Sequence, residues 1–169
     1  MKKIIITTRV VHDKKYAVDK DYLDKDYLNY FEKLGYLVFL MPNFNNLRGV
    51  DKFIDTIKPD AIILSGGNNI TPKLYGRKNI SLPDTSAIRD ANEMRLLEIA
   101  EAKYLKVLGI CRGMQMLNVY FGGKIINLNE RLPSNIGHVK TAHKIVIKRT
   151  DKIIGFKKGV EKIVNSFHN

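Results

Sequence analysis

The sequence predicts an α/β protein with a mostly parallel central sheet flanked by helices. Three observations predict it. Short apolar runs such as Ile4 to Thr8, Tyr36 to Met41 and Ala61 to Leu64 alternate with longer segments of helical apolar spacing. The alternation runs along the chain without a linker-like stretch, as in successive βαβ units. Glycine-bearing loops, at Gly66-Gly67 and around Cys111, directly follow two of the apolar runs. Open α/β sheets bind ligands there, at the carboxyl ends of the strands. A length of 169 residues with 44% apolar content suits one domain, expected to cover residues 1–169.

Each element has its own reason. Ile4 to Thr8 is β-branched and follows Met1-Lys2-Lys3; it is too short for a signal peptide and no small-residue cleavage site follows, so it reads as a first strand. Tyr22 to Leu34 carries a helical pattern and stops at Gly35, a C-cap candidate. Tyr36 to Met41 is a strand closed by Pro42, Val50 to Ile57 a short helix, and Ala61 to Leu64 a strand. Thr85 to Ala102 is a long helix. Tyr104 to Ile110 is a buried strand, and Met114 to Phe121 is helical again. Ile125 to Leu128, Lys144 to Lys148 and Lys162 to Val164 are further strand candidates. Residues 68–84, with Pro72, Gly76 and Pro83, form a long loop of the kind that often binds or covers a ligand. Asp-Lys-Asp-Tyr-Leu occurs at Asp19 to Leu23 and again at Asp24 to Leu28, too short a unit for a structural repeat, and reads as a local duplication at a helix start.

The single cysteine carries most of the chemistry. Cys111 lies between a strand and a helix, with Gly109 and Gly113 two residues to either side. Strand, sharp turn and helix are the grammar of a nucleophile elbow, in which small residues let the backbones crowd. A thiol at a helix N-terminus has its thiolate favoured by the dipole and the free N–H groups. The alternative is a buried structural cysteine.

Composition narrows the partners. The net charge is +12, but the lysines are scattered and many sit beside carboxylates, unlike the clustered basic and aromatic patches of nucleic-acid binders. Neither nucleic acid nor membrane is expected as a partner; no run of apolar residues is long enough to span a bilayer. The excess charge suits a phosphorylated small molecule. One free cysteine fits a reducing, cytoplasmic compartment.

Four blocks together resemble the class I glutamine amidotransferases, and more narrowly their γ-glutamyl hydrolase branch. These are Gly66 to Gly76, Arg89-Asp90-Ala91-Asn92-Glu93, Gly109 to Gln115 with Asn118 and Gly122-Gly123, and Val164 to His168. Asn69 stands where that branch usually has aspartate. The resemblance implies a three-layer, flavodoxin-like fold and hydrolysis through a glutamyl thioester on Cys111. It assigns the oxyanion hole to the backbone N–H groups of Gly67 and Arg112. It assigns substrate contacts to Gly66, Asn69, Arg89, Glu93, Gln115, Ser166, Phe167 and His168. For Asp90 and Glu93 the residues themselves leave a second reading open, that of carboxylates favoured at a helix start.

A base is still needed. His12 reads as a surface residue, and His138 and His143 as structural; two histidines so spaced would need further ligands to hold a metal. No metal or cofactor is expected. The branch carries its catalytic histidine and glutamate near the C-terminus, in a block absent here, so the expectation is a chain truncated at Asn169 with that pair beyond it. His168 is then a neighbour of the active site; the alternative makes it the base of a shortened enzyme.

Compact size, basic charge and a Lys/Asn/Ile-rich composition resemble the γ-glutamyl-CDP-amidate hydrolases of capsule phosphoramidate biosynthesis, with Lys73, Arg77 and Lys78 as candidates to hold the diphosphate. The alternatives are a γ-glutamyl-polyamine or γ-aminobutyrate hydrolase, a glutaminase subunit delivering ammonia, and an inactive binding module. A monomer or homodimer is expected.

Overall fold

The computed structural model of the chain describes residues 1–78, 80–126, 139–152 and 155–167, and for 139–141, 166 and 167 the backbone alone. Its contacts divide the chain into two compact units, Met1–Ile125 and Ile126–Asn169. In chain order the first holds β1 (Lys2–Thr7), β2 (Arg9–Asp13), β3 (Val18–Tyr22), α1 (Lys25–Lys33), β4 (Tyr36–Met41), α2 (Arg48–Ile57) and β5 (Ala61–Leu64). A 3-10 turn (Pro72–Tyr75), α3 (Ala87–Ala102), β6 (Lys106–Gly109) and α4 (Arg112–Tyr120) follow.

The four strands β4-β1-β5-β6 form one sheet, all parallel. Numbered among themselves they run 2-1-3-4, the order of a doubly wound sheet. Period-2 alternation divides their side chains between two faces. Ile5, Ile62 and Leu64 point into a core with Val50 and Ile54 of α2, Leu96 and Ala100 of α3, and Met116 of α4. Ile4, Ile6 and Ile63 point the other way, against Phe31 of α1. The expected α/β architecture is therefore present, with helices on both faces. The strands expected at Tyr36 to Met41 and Ala61 to Leu64 form over those residues.

Helix ends follow local chemistry. Gly35 takes φ +81° after α1, and its N–H donates to Glu32 O at 2.9 Å, as the C-cap reading expects. Ser86 caps α3, its Oγ accepting from Arg89 N–H at 3.4 Å.

Three expectations are corrected. The buried strand expected over Tyr104 to Ile110 spans only Lys106–Gly109 and is partly exposed, as an edge strand of the sheet. The helix expected from Tyr22 begins only at Lys25, because Val18–Tyr22 pairs antiparallel with Arg9–Asp13. The two copies of Asp-Lys-Asp-Tyr-Leu thus differ in structure: the first lies largely in β3, the second enters α1. Ile125 and Ile126 lie in no strand, and 127 and 128 fall outside the described residues. In the second unit β7 (Val139–Val146) pairs antiparallel with β8 (Glu161–Phe167), longer than the strands expected there. Among the described residues no helix is long and apolar enough to cross a membrane.

Candidate active site

The carboxyl ends of β1, β5 and β6 bring three loops together. Cys111 follows β6 in an exposed turn, at φ +54° and ψ −110°, a strained conformation for a residue with a Cβ. Its neighbours explain why the sequence tolerates it. A Cβ on Gly109 would lie 2.5 Å from the Gly113 carbonyl carbon, and one on Gly113 would lie 2.2 Å from Leu64 O. Both contacts are with backbone, so only glycine lets β6 and α4 approach this closely. The turn is closed by Gly113 N–H to Ile110 O at 3.0 Å and Met114 N–H to Cys111 O at 3.1 Å.

The Gly66-Gly67 loop leaves β5 beside it. A Cβ built on Gly66 would come to 3.5 Å from Cys111 Cβ and 3.9 Å from its Sγ. Gly67 and Asn68 both take positive φ, +81° and +46°. Gly66 N–H donates to the Tyr27 hydroxyl at 3.0 Å. The N–H groups of Gly67 and Arg112 donate to nothing among the described residues, and the Gln115 side-chain amide, one turn into α4, is likewise without a partner there. A cavity of about 190 Å³ opens over the thiol, lined by Arg9, Tyr22, Asp24, Tyr27, Gly66 and Cys111 among others.

Beneath this surface lies a buried charge network. Arg89 and Glu93 are 0% exposed. Arg89 donates to Ser65 O at 2.9 Å, Gly66 O at 3.0 Å, Gly67 O at 3.1 Å and Glu93 Oε1 at 2.9 Å. Glu93 also accepts from Thr7 Oγ1 at 2.8 Å and, through Oε2, from Arg112. Asp90 pairs with Arg112 and accepts from Thr71 N–H at 3.0 Å. Two guanidinium groups thus face two carboxylates, which is what allows them to be buried. Burial pushes the Arg89 guanidinium below its ordinary value, with Glu93 pulling it back up. Arg112 Nε stays buried and unpartnered.

Of the residues expected at the site, Cys111, Gly66 and Gly67 line one cavity. Arg112 and Gln115 stand on the first turns of α4. Arg89 and Glu93 lie under the loop with every polar atom engaged by protein, so the geometry makes them braces of the loop. Asn69 is exposed and ties the loop to Pro83 O at 2.9 Å. The side chains of Ser166 and Phe167, and all of His138, His168 and Asn169, lie outside the described residues. Lys73 lines a separate cavity of about 390 Å³ with Met94 and Glu98; neither Arg77 nor Lys78 lines the cavity over the thiol. His12 is exposed and bonded to Asp19 at 2.8 Å, and His143 is exposed on β7. Among the described residues no cluster of His, Cys, Asp and Glu is arranged to hold a metal ion.

Sequence reasoning missed Arg9, Asp24, Tyr27 and Asn68. Asn68 joins Val10 N–H and C=O, at 2.9 and 2.8 Å, to Asp84 at 2.8 Å, stitching β2 to the loop. The available signal was position: Arg9 follows the first strand at its carboxyl end, where such sheets place ligand-binding residues.

Sheet order, strained cysteine turn and glycine loop define an α/β protein of the class I glutamine amidotransferase-like fold. The chain belongs to the Peptidase C26 family, whose model matches residues 4–169. It is 31% identical over 156 residues to the putative glutamine amidotransferase-like protein YvdE of Lactococcus lactis subsp. lactis, covering 88% of this chain and 64% of that protein. It is 36% identical to the putative glutamine amidotransferase Rv2859c of Mycobacterium tuberculosis, over 65% of this chain and 36% of that one. It is 32% identical to the gamma-glutamyl-gamma-aminobutyrate hydrolase of Escherichia coli O157:H7, over 61% of this chain and 40% of the relative. The chain therefore spans less than two thirds of the length of each of these three relatives.

Proposed function

We propose that the protein is a cysteine-dependent hydrolase of γ-glutamyl amide bonds, acting in the cytoplasm on a small molecule. The observation that carries this is the exposed Cys111 thiol on a strained turn beside the Gly66-Gly67 loop, with the Gly67 and Arg112 N–H groups unengaged among the described residues. In the proposed reaction the Cys111 thiolate attacks the γ-carbonyl carbon. The oxyanion is held by Gly67 and Arg112 N–H. The C–N bond then breaks, and the leaving nitrogen takes a proton. Water next attacks the glutamyl thioester, giving up a proton to the base, and glutamate departs as the thiolate is restored. No histidine lines the cavity among the described residues, so the proposal assigns proton transfer to a histidine outside them.

For the leaving group we propose cytidine diphosphoramidate, released from γ-glutamyl-CDP-amidate for capsular polysaccharide modification; the net charge of +12 supports an anionic leaving group. The likeness to the Escherichia coli gamma-glutamyl-gamma-aminobutyrate hydrolase supports γ-glutamyl-γ-aminobutyrate as the second reading.

The test is glutamate release by the full-length protein from γ-glutamyl-CDP-amidate, γ-glutamyl-γ-aminobutyrate and γ-glutamyl-p-nitroanilide. Cys111→Ala serves as control, and acid-quenched intact mass looks for a glutamyl adduct. We expect turnover that Cys111→Ala lowers by roughly 10⁴-fold or more, with the adduct on Cys111. Turnover that survives in Cys111→Ala, or none from any γ-glutamyl compound, overturns the proposal.

A further inference from the structure

Burial of Arg89 and Glu93 raises a question: if those charges brace the loop, which groups recognise the charged end of a γ-glutamyl substrate? That end is an α-amino acid, with an ammonium and a carboxylate on one carbon, two methylenes from the carbonyl that Cys111 would attack. Recognising it needs one cation and one anion within reach of the thiol.

The cavity over Cys111 supplies one of each. Among the described residues Arg9 is the one cationic side chain lining it and Asp24 the one anionic. Arg9 lies flat along the loop: a Cβ on Gly67 would meet its Cδ at 2.8 Å, Nε at 2.9 Å and Cζ at 3.2 Å. Its outer nitrogen reaches Asp84 at 3.3 Å. Its Nε is buried with no acceptor among the described residues, and an unmatched buried donor is unfavourable until a ligand accepts from it. Asp24 is the N-cap of α1, yet its side chain makes no capping bond. It accepts instead from the Tyr22 hydroxyl at 3.0 Å through Oδ1. Its second oxygen has no partner among the described residues and is open to a ligand. Opposite charges lining one cavity of about 190 Å³ match a zwitterion better than a simple anion, which Asp24 would repel.

Resting on the γ-glutamyl hydrolase reading, we propose that Arg9 and Asp24 are the substrate-head residues, Arg9 binding the α-carboxylate and Asp24 the α-ammonium. The β2–β3 hairpin then acts as a specificity element. It carries Arg9 at its first residue and Tyr22 at its last, and its register pairs those two directly.

Two measurements on the full-length protein test this. The first compares hydrolysis of three p-nitroanilides: γ-glutamyl, glutaryl (no ammonium) and 4-aminobutyryl (no carboxylate). Arg9→Gln should erase most of the preference for γ-glutamyl over 4-aminobutyryl, a change of roughly ten- to hundredfold in the kcat/KM ratio, while keeping the preference over glutaryl. Asp24→Asn should do the reverse. Equal losses on all three substrates, or unchanged preferences, overturn the proposal. The second is calorimetric binding of L-glutamate, which needs no turnover. Arg9→Gln and Asp24→Asn should each weaken it roughly tenfold or more, and glutarate should bind wild type more weakly than L-glutamate. Wild-type affinity in both variants, or no binding of L-glutamate at all, overturns the head assignment. Glutamate binding without hydrolysis of any amide overturns the hydrolase reading and leaves the head site standing.

Discussion

Replacing Glu93 separates two readings of the Arg89 to Glu93 block. If Glu93 touched substrate, Glu93→Gln would fold normally and raise KM. In the structure Glu93 is 0% exposed and accepts from Thr7, Arg89 and Arg112. The network balances Arg89 and Arg112 against Asp90 and Glu93, so neutralising Glu93 leaves one buried positive charge without a counter-ion. Breaking a buried pair from one side costs about 3–5 kcal/mol. Three hydrogen bonds to a charged acceptor, at roughly 1.5–3 kcal/mol each, would give more if they added, but shared networks do not add. Against a total stability of about 5–15 kcal/mol, this is a large fraction. We expect Glu93→Gln to lose about 3 kcal/mol or more in urea unfolding followed by circular dichroism, with m unchanged, and roughly 6–12 °C in Tm. Adding Arg112→Met removes the orphaned charge, so the double variant should be less destabilised than its two singles predict. A Glu93→Gln protein within about 1 kcal/mol of wild type, with an intact fold and a raised KM, would refute the bracing role.

Three further outcomes follow from the geometry. Gly113→Ala should lose about 3 kcal/mol or more, since its Cβ would meet Leu64 O at 2.2 Å and that carbonyl is held by Ile110 N–H at 2.9 Å. Gly76→Ala, with open space around it and φ +84°, should lose only about 1–2 kcal/mol; equal losses in the two variants would show that the close approach of α4 to β5 is not what matters. Cys111→Gly should gain about 1 kcal/mol in stability, the relief of the φ +54° turn outweighing the added chain entropy, and destabilisation would mean the turn is unstrained. Tyr120 donates to Glu101 at 2.6 Å, which pushes the phenol up to about 12. The folded state therefore favours the protonated form, a contribution complete below pH 10 and lost as pH rises towards 12. The difference in ultraviolet titration between wild type and Tyr120→Phe should place that midpoint, and Glu101→Gln should lower it towards the ordinary phenol value.

The parallel sheet was legible because its central strands, β1 and β5, are buried and therefore read as unbroken apolar runs; the edge strands β4 and β6 keep an apolar run although residues such as Leu37, Leu40 and Leu108 are exposed. The cysteine turn was legible because close backbone approach leaves glycine as the residue that fits, and two such positions flank Cys111. The β2–β3 hairpin was not. All five residues of β3 are exposed, so no apolar alternation marks it. Pairing rests instead on the ladder and on bonds such as His12 to Asp19 and Lys20 to Asp13. The duplicated Asp-Lys-Asp-Tyr-Leu makes the same point: one pentapeptide yields strand or helix start depending on what lies opposite it. Spacing shows that Arg89 and Glu93 share a helix face, but it does not show whether that face meets solvent or the underside of a loop.

That underside explains why so costly a network is kept. Gly67, Asn68 and Cys111 all hold positive φ within the same small region, and strained backbone persists only where its surroundings over-determine it. Arg89 takes the carbonyls of Ser65, Gly66 and Gly67 together. No peptide described is cis, and in a trans peptide the C=O and the following N–H point opposite ways. Drawing Ser65 O down to Arg89 turns Gly66 N–H the other way, and it is found on Tyr27 in the cavity wall. Drawing Gly66 O down turns Gly67 N–H to the same upper side. Arg112 is tied through Glu93 and Asp90 to the helix that carries Arg89. The two donors assigned to the oxyanion, Gly67 N–H and Arg112 N–H, are therefore fixed relative to one another through α3. Preorganised donors stabilise developing charge without reorganising at the moment of reaction, so in the proposed reaction Arg89 would act as a positioning residue, fixing the direction of N–H groups it never touches.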